Sequence, residues 1–125
     1  MAPTPHARRR RDQAGAVTAE AAMAIPVLTL VAAGLCWLVA LGVAQVRAVD
    51  AARETARALA RDEDRSAALD LGRRVAPDGA RFTVESGDRV VRVTVTARVR
   101  SPGGLLSFPA FDAHATAVAA VEDQP

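Results

Sequence analysis

Few residues of this chain have the type and spacing that chemistry requires. The two histidines are His6 and His114, the one cysteine is Cys36, and Asp112 stands two positions before His114. An Asp-x-His on a stretch that alternates like a strand reads as a strand entry rather than as a dyad or a metal site. A lone cysteine excludes an intramolecular disulfide and any thiolate metal centre. Pro102-Gly103-Gly104 lacks the Lys and the following helix that would make it a phosphate loop. The chain therefore reads as a non-enzyme with no cofactor, no metal and no small-molecule substrate. What remains is the pair Gly15 and Glu20. Glu20 stands at the lip of an apolar stretch, where a carboxylate is costly unless it stays at the interface or meets a cation. Cleavage between Gly15 and Ala16 would place an ammonium on Ala16 and make Glu20 the fifth residue of the new chain. The plainer reading, a carboxylate favoured by the positive end of a helix dipole, accounts for Glu20 but not for its distance from Gly15.

The elements that must position this pair follow from charge and periodicity. Residues 21–44 carry no charge, a run of 24 positions, and about 20 helical residues cross a hydrocarbon core about 30 Å thick. This predicts a membrane-spanning helix, because the remaining chain is too small to surround so long an apolar rod. All 16 basic residues are Arg, and four of them form the run Arg8-Arg9-Arg10-Arg11. Beyond Gln45 the basic and acidic residues balance, twelve of each, so the excess of positive charge lies before the span. Such a run beside a span sets orientation, N-terminus inside, rather than binding nucleic acid. Residues 1–13, with two prolines and no apolar period, read as disordered. A secretory signal would place its small-residue cleavage site after the apolar region. Here Gly15 precedes it, so a cut there leaves the helix on the mature chain.

Beyond the span the helix continues as an amphipathic rod over residues 45–62. Val46, Val49, Ala52, Ala56 and Leu59 form its apolar side, opposite Arg47, Asp50, Glu54, Arg57 and Arg61. Asp62-Glu63-Asp64 interrupts the pattern, and residues 66–75 form a short second helix capped by Ser66 and ended by Pro77-Asp78-Gly79. The period then changes to two. Phe82 and Val84 alternate with polar residues, as do Val91, Val93, Val95, Ala97 and Val99, which predicts a hairpin. A two-residue Gly87-Asp88 loop would pair Ser86 with Arg89, Val84 with Val91 and Phe82 with Val93, placing the large apolar residues on one face. Residues 101–112 read as a loop with a candidate partner patch, Leu105, Leu106, Phe108 and Phe111, and residues 113–122 as a third strand, with a helix as the alternative for so Ala-rich a run. Pro26 lies inside the first helix, where its missing amide donor predicts a kink.

The string Gly15-Ala16-Val17-Thr18-Ala19-Glu20, followed by the apolar helix with Pro26, resembles the leader of type IV pilins. More narrowly it looks like the TadE-like minor pilins, or pseudopilins, of the tight-adherence (Flp) pilus system. Val49-Asp50-Ala51-Ala52-Arg53 and the small sheet that follows look like the actinobacterial branch. The resemblance implies that a membrane-embedded prepilin peptidase cuts after Gly15 and that Ala16 becomes the N-terminus. It also implies that Glu20 pairs with the terminal amine of a neighbouring subunit. The implied partners are the peptidase, a major Flp pilin, a second minor pilin, the lipid bilayer and a membrane platform driven by a separate ATPase. Glu20 is followed by Ala21 rather than the Tyr usual in major pilins of this system, which favours a minor subunit; Ala16 stands where other type IV pilins carry Phe.

The expected architecture is α+β: one long N-terminal helix, a short second helix and a three-stranded antiparallel sheet on the outer half of the long one. The expected division is a cleaved basic leader (1–15), a transmembrane helix (16–44), its amphipathic extension (45–62) and a small exported domain (63–125). The alternative function is a single-pass anchored domain that binds a partner with no pilus involved.

Overall fold

The computed structural model describes residues 5–101 and 108–121, the side chains of residues 5–9, 11 and 12 excepted. The chain divides into two compact units, Met1–Cys36 and Trp37–Pro125. Helix α1 (Pro5–Ala60) supplies all of the described part of the first and opens the second. It starts within the stretch that composition reads as disordered. Ala, Arg and Gln are good helix formers, and Pro5 takes the first helical position, where a missing N–H is no loss.

In the first unit the large apolar side chains described are exposed. Met23, Ile25, Val27 and Leu28 are all exposed, and α1 is long and apolar enough to cross a membrane. The helix runs unbroken through Pro26. Thr18 and Thr29 each donate from Oγ1 to the carbonyl four residues earlier, Ala14 at 2.9 Å and Ile25 at 2.8 Å, so neither hydroxyl is left unsatisfied in an apolar setting.

The second unit is α+β. After α1 come helix α2 (Arg65–Val75) and strands β1 (Arg81–Ser86), β2 (Val90–Val99) and β3 (Phe111–Ala120). The strands form one antiparallel sheet in the order β1-β2-β3, packed against α1. Its core joins Ala44, Ala48, Ala51, Ala52 and Ala56 of α1 to Val91, Val93 and Val95 of β2 and Ala113 and Ala115 of β3. Of the expected apolar side, Ala52 and Ala56 are buried and Val49 and Leu59 pack against this core, and Val46 alone of the five turns away. Val46 is 60% exposed, while Ala48, Ala51, Ala52 and Thr55 are fully covered. A helix can lie close on a sheet only where its side chains are small, and the Ala stripe permits that approach where Val would hold the sheet away. Arg47, on the expected polar side, reaches across to donate from Nε to the Val75 carbonyl at 3.0 Å, satisfying an orphan carbonyl at the end of α2.

The acidic cluster stops one helix and starts the next. Asp62 adopts a left-handed conformation (φ 61°). Its N–H reaches the Leu59 carbonyl and that of Glu63 the Ala58 carbonyl, the double bond of a Schellman ending. The cap of α2 is Asp64, not Ser66: its carboxylate accepts from the N–H groups of Ser66 and Ala67 and from the Ser66 hydroxyl. A carboxylate at this position also meets the positive end of the helix dipole, which a hydroxyl does not exploit.

The hairpin register differs from the expected one. Phe82 pairs with Val95, Val84 with Val93 and Ser86 with Val91. The loop is Asp88-Arg89, closed by Gly87 N–H to the Val90 carbonyl at 2.9 Å. The slip is two residues along the partner strand, so Phe82 and Val93 still share a face. Alternation specifies the face but cannot separate registers that differ by two. β3 begins at Phe111, inside the expected loop, and is a strand rather than a helix. Its residues pair with β2 from Phe111 opposite Val99 to Ala120 opposite Val90, with Ala113 and Ala115 turned to the core.

Two outcomes follow. A Cβ on Gly72 would lie 2.0 Å from Thr55 Oγ1, 2.9 Å from a Phe82 ring carbon and 3.2 Å from the Ala51 carbonyl. Gly72→Ala should therefore destabilise the chain by about 1–3 kcal/mol despite its better helix propensity, and Thr55→Ala on that background should restore part of the loss. Thermal unfolding followed by circular dichroism in detergent measures both; a Gly72→Ala protein as stable as the parent contradicts this packing. The second concerns acid. The Ser66 hydroxyl, then the Ala67 N–H, hold the Asp64 carboxyl below the ordinary range. A lowered pKa gives stability that is whole above the unfolded value, about 3.9, and lost as pH falls through the folded one. The difference in melting temperature between parent and Asp64→Ala should be present at neutral pH and shrink in acid; growth of the difference in acid would contradict the cap.

Candidate functional site

The candidate residues fall into two groups, one in each unit. In the first, α1 carries Gly15, Ala16, Glu20 and Pro26 on a helix whose side chains are exposed throughout this stretch. Beyond the helix's own backbone, nothing among the described residues lies within 4 Å of where a Gly15 side chain would begin. Ala16 and Glu20 are four residues apart and so share one face of the helix, separated by about 6 Å of rise. A new ammonium at Ala16 would stand one turn from the Glu20 carboxylate. Of the arginine run, Arg10 is exposed, and Arg8, Arg9 and Arg11 lie on the α1 backbone with their side chains outside the described residues.

In the second unit the structure describes two of the four residues of the apolar patch. Leu105 and Leu106 lie outside the described residues. Phe108 stacks on Trp37 with ring centroids 6.3 Å apart and planes inclined by 15°, and its N–H donates to Ser101 Oγ at 3.3 Å. Phe111 begins β3 and is half exposed. It lines an open groove of about 310 Å³ together with Leu41, Gly42, Gln45, Val99, Asp112 and Ala113. The edge of β3 above this groove is held by one side chain. Gln45 donates from Nε2 to the His114 carbonyl at 2.8 Å and accepts at Oε1 from the His114 N–H at 3.2 Å. The carboxamide thereby serves as a one-residue substitute for a neighbouring strand.

Trp37 is the participant that reading by composition misses. It is 7% exposed although it stands within the uncharged run. Its position could be found from phase: Trp37, Ala44, Ala48, Ala51 and Thr55 recur at spacings of seven, four, three and four, the period of a buried helix face. Its Nε1 is buried without a hydrogen-bond partner among the described residues. His114 Nδ1 lies 3.3 Å from Thr96 Oγ1 on the outer face of the sheet, and Asp112 stands opposite Arg98 in the β2–β3 register. Comparison of the chain with protein-family models, with curated proteins and with solved structures gives no match in any of the three.

The aromatic contact sets its own test. Trp37→Phe removes an orphan donor and keeps a ring against Phe108, so stability should stay within about 1 kcal/mol of the parent or rise. Trp37→Ala loses the ring and should cost about 3 kcal/mol or more. Equal losses in both variants, measured by thermal unfolding in detergent, would mean that the indole N–H and not the ring is what the fold uses.

Proposed function

We propose that this chain is a minor pilin-like subunit, anchored in the cytoplasmic membrane by α1 with its N-terminus inside and its α+β unit exported, which helps to assemble a Tad-type pilus or a related secretion fibre. The observation that carries this reading is the placement of Gly15, Ala16 and Glu20 immediately before the uncharged stretch of a helix apolar enough to cross a membrane. A prepilin peptidase acting at the Gly15-Ala16 bond removes the arginine-rich leader. Glu20 then offers its carboxylate to the Ala16 ammonium of an adjacent subunit, an attraction strong only where water is excluded, as between helices in lipid. Orientation follows from Arg8 to Arg11 on the inner side. Other pilin subunits, the assembly platform and its separate ATPase are the partners this role requires, and the α+β unit supplies the surface presented outside.

Two substitutions test the role. Gly15→Arg should leave insertion intact and abolish the cut, so that N-terminal sequencing finds Met1 in the variant and Ala16 in the parent when both are expressed with a prepilin peptidase. Glu20→Ala should leave insertion and cleavage near the parent level, because losing a carboxylate eases entry into lipid by about 1–3 kcal/mol at most. The same variant should lower co-purification with other pilin subunits and the number of fibres. An uncut parent, or a Glu20→Ala chain that assembles normally, would favour a single-pass anchored binding domain instead.

A further inference from the structure

The expected membrane span ends at Ala44, within a charge-free stretch that reaches Val46, yet the α+β unit already packs on α1 at Trp37. Residues 21–44 number 24, and a helix needs about 20 to cross the hydrocarbon core. Every placement of such a window within the run includes Trp37. Trp37 therefore lies about 5 to 10 Å inside the outer hydrocarbon boundary, three to seven residues before the last one in lipid at 1.5 Å each. Phe108, which belongs to the connection between β2 and β3, stacks on Trp37 at 6.3 Å and must share its depth. Phe111, half exposed, lies beside Leu41, Gly42 and Gln45 at the rim of the same boundary.

From this we infer that the β2–β3 end of the sheet is a second membrane contact: Phe108 and Phe111 enter the outer leaflet beside α1, and the α+β unit rests partly immersed rather than standing clear in water. Three further features agree. No residue between Arg100 and Asp112 carries a charge, so nothing charged accompanies the two rings into lipid. Of the exposed large apolar side chains of the sheet, Phe111 is the aromatic one and lies at the end nearest Trp37, while Val90 and Val118 lie toward the end whose Asp88-Arg89 turn is charged. Arg98 and Arg100 flank the paired residues Val99 and Phe111 and are exposed, which puts guanidinium groups at the level of the lipid phosphates, where the interface favours them. The partner is thus a phospholipid surface, recognised by apolar insertion with basic residues at the headgroups.

The inference rests on α1 spanning the membrane, and the experiment separates the two. On a Cys36→Ser background, single cysteines at Leu28, Asp88 and Ala110 are labelled with an environment-sensitive nitrobenzoxadiazole dye, and the full chain is reconstituted in phosphatidylcholine vesicles containing brominated acyl chains. Ala110 is exposed and adjoins Phe111 without replacing it; a Phe111→Cys chain provides the second label at that end. The dye at Leu28 should be strongly quenched by deep bromines. At Ala110 and at Phe111→Cys it should be quenched by shallow bromines, with a severalfold greater loss of emission than at Asp88, about 30 Å away along the ten-residue strands. Quenching at Leu28 with none at Ala110 or 111 would overturn the second contact alone, and no quenching at Leu28 would overturn the span and the contact with it. A blue-shifted dye at 110 or 111 that bromines leave untouched would mean that a protein surface covers the patch, which also overturns the assignment.

Discussion

The close approach of α1 to β2 is the contact on which the α+β unit depends. Val93 and Val95 are fully buried under Ala48, Ala51, Ala52 and Ala56, and each valine contributes about 1.5–3 kcal/mol of burial. The smallness of the alanines does more than remove area from water. It brings the helix backbone near enough for Gln45 to hold the His114 backbone and for Arg47 to reach the end of α2. The same economy of volume explains Gly72 in α2, where any Cβ would collide with Thr55. A chain with three Phe, one Trp and no Tyr builds its core from closeness rather than from large side chains.

One helix carries two kinds of surface. Along residues 23–31 the large apolar side chains are exposed on every side, which suits hydrocarbon and is unfavourable in water. From Trp37 onward one side is covered by the sheet while Leu38, Val39, Val43 and Val46 remain open on the other. The change from a rod apolar all round to a rod with one protein-covered side takes place inside the uncharged run, not at its end. A boundary drawn from charge alone therefore separates elements that packing joins.

The acidic residues 62–64 show how a cluster that looks like a charged surface acts through backbone geometry. Asp62 takes the left-handed conformation that closes α1, and Asp64 caps α2. Arg61 and Glu63 lie across the same corner, joined at 2.6 Å, and that partner raises the Arg61 pKa. Being solvent-exposed, the pair adds little to stability. The corner's value lies in its turn, which folds α2 back toward α1 so that Gly72 can meet Thr55.

Much of this architecture was legible in the residues alone. The uncharged run, the change of period after Gly79 and the alternation of Val91 to Val99 gave the long helix, the sheet and the α+β class, because burial against lipid or against a single layer leaves a direct periodic signature. The Gly15 to Glu20 spacing is also wholly a sequence property; the helix adds only that Ala16 and Glu20 share a face. Tertiary structure decided what periodicity leaves degenerate. Registers differing by two residues present identical faces, so the Asp88-Arg89 turn could not be told from Gly87-Asp88. Periodicity placed Val49, Ala52, Ala56 and Leu59 on the side of α1 that meets the sheet, but Val46 turns away and Ala48 and Ala51 take the closest contact, a choice that side-chain volume and not hydrophobicity makes. Phe108 and Trp37 are 71 positions apart, and their stacking depends on where the β2–β3 connection returns along α1, which no local pattern encodes.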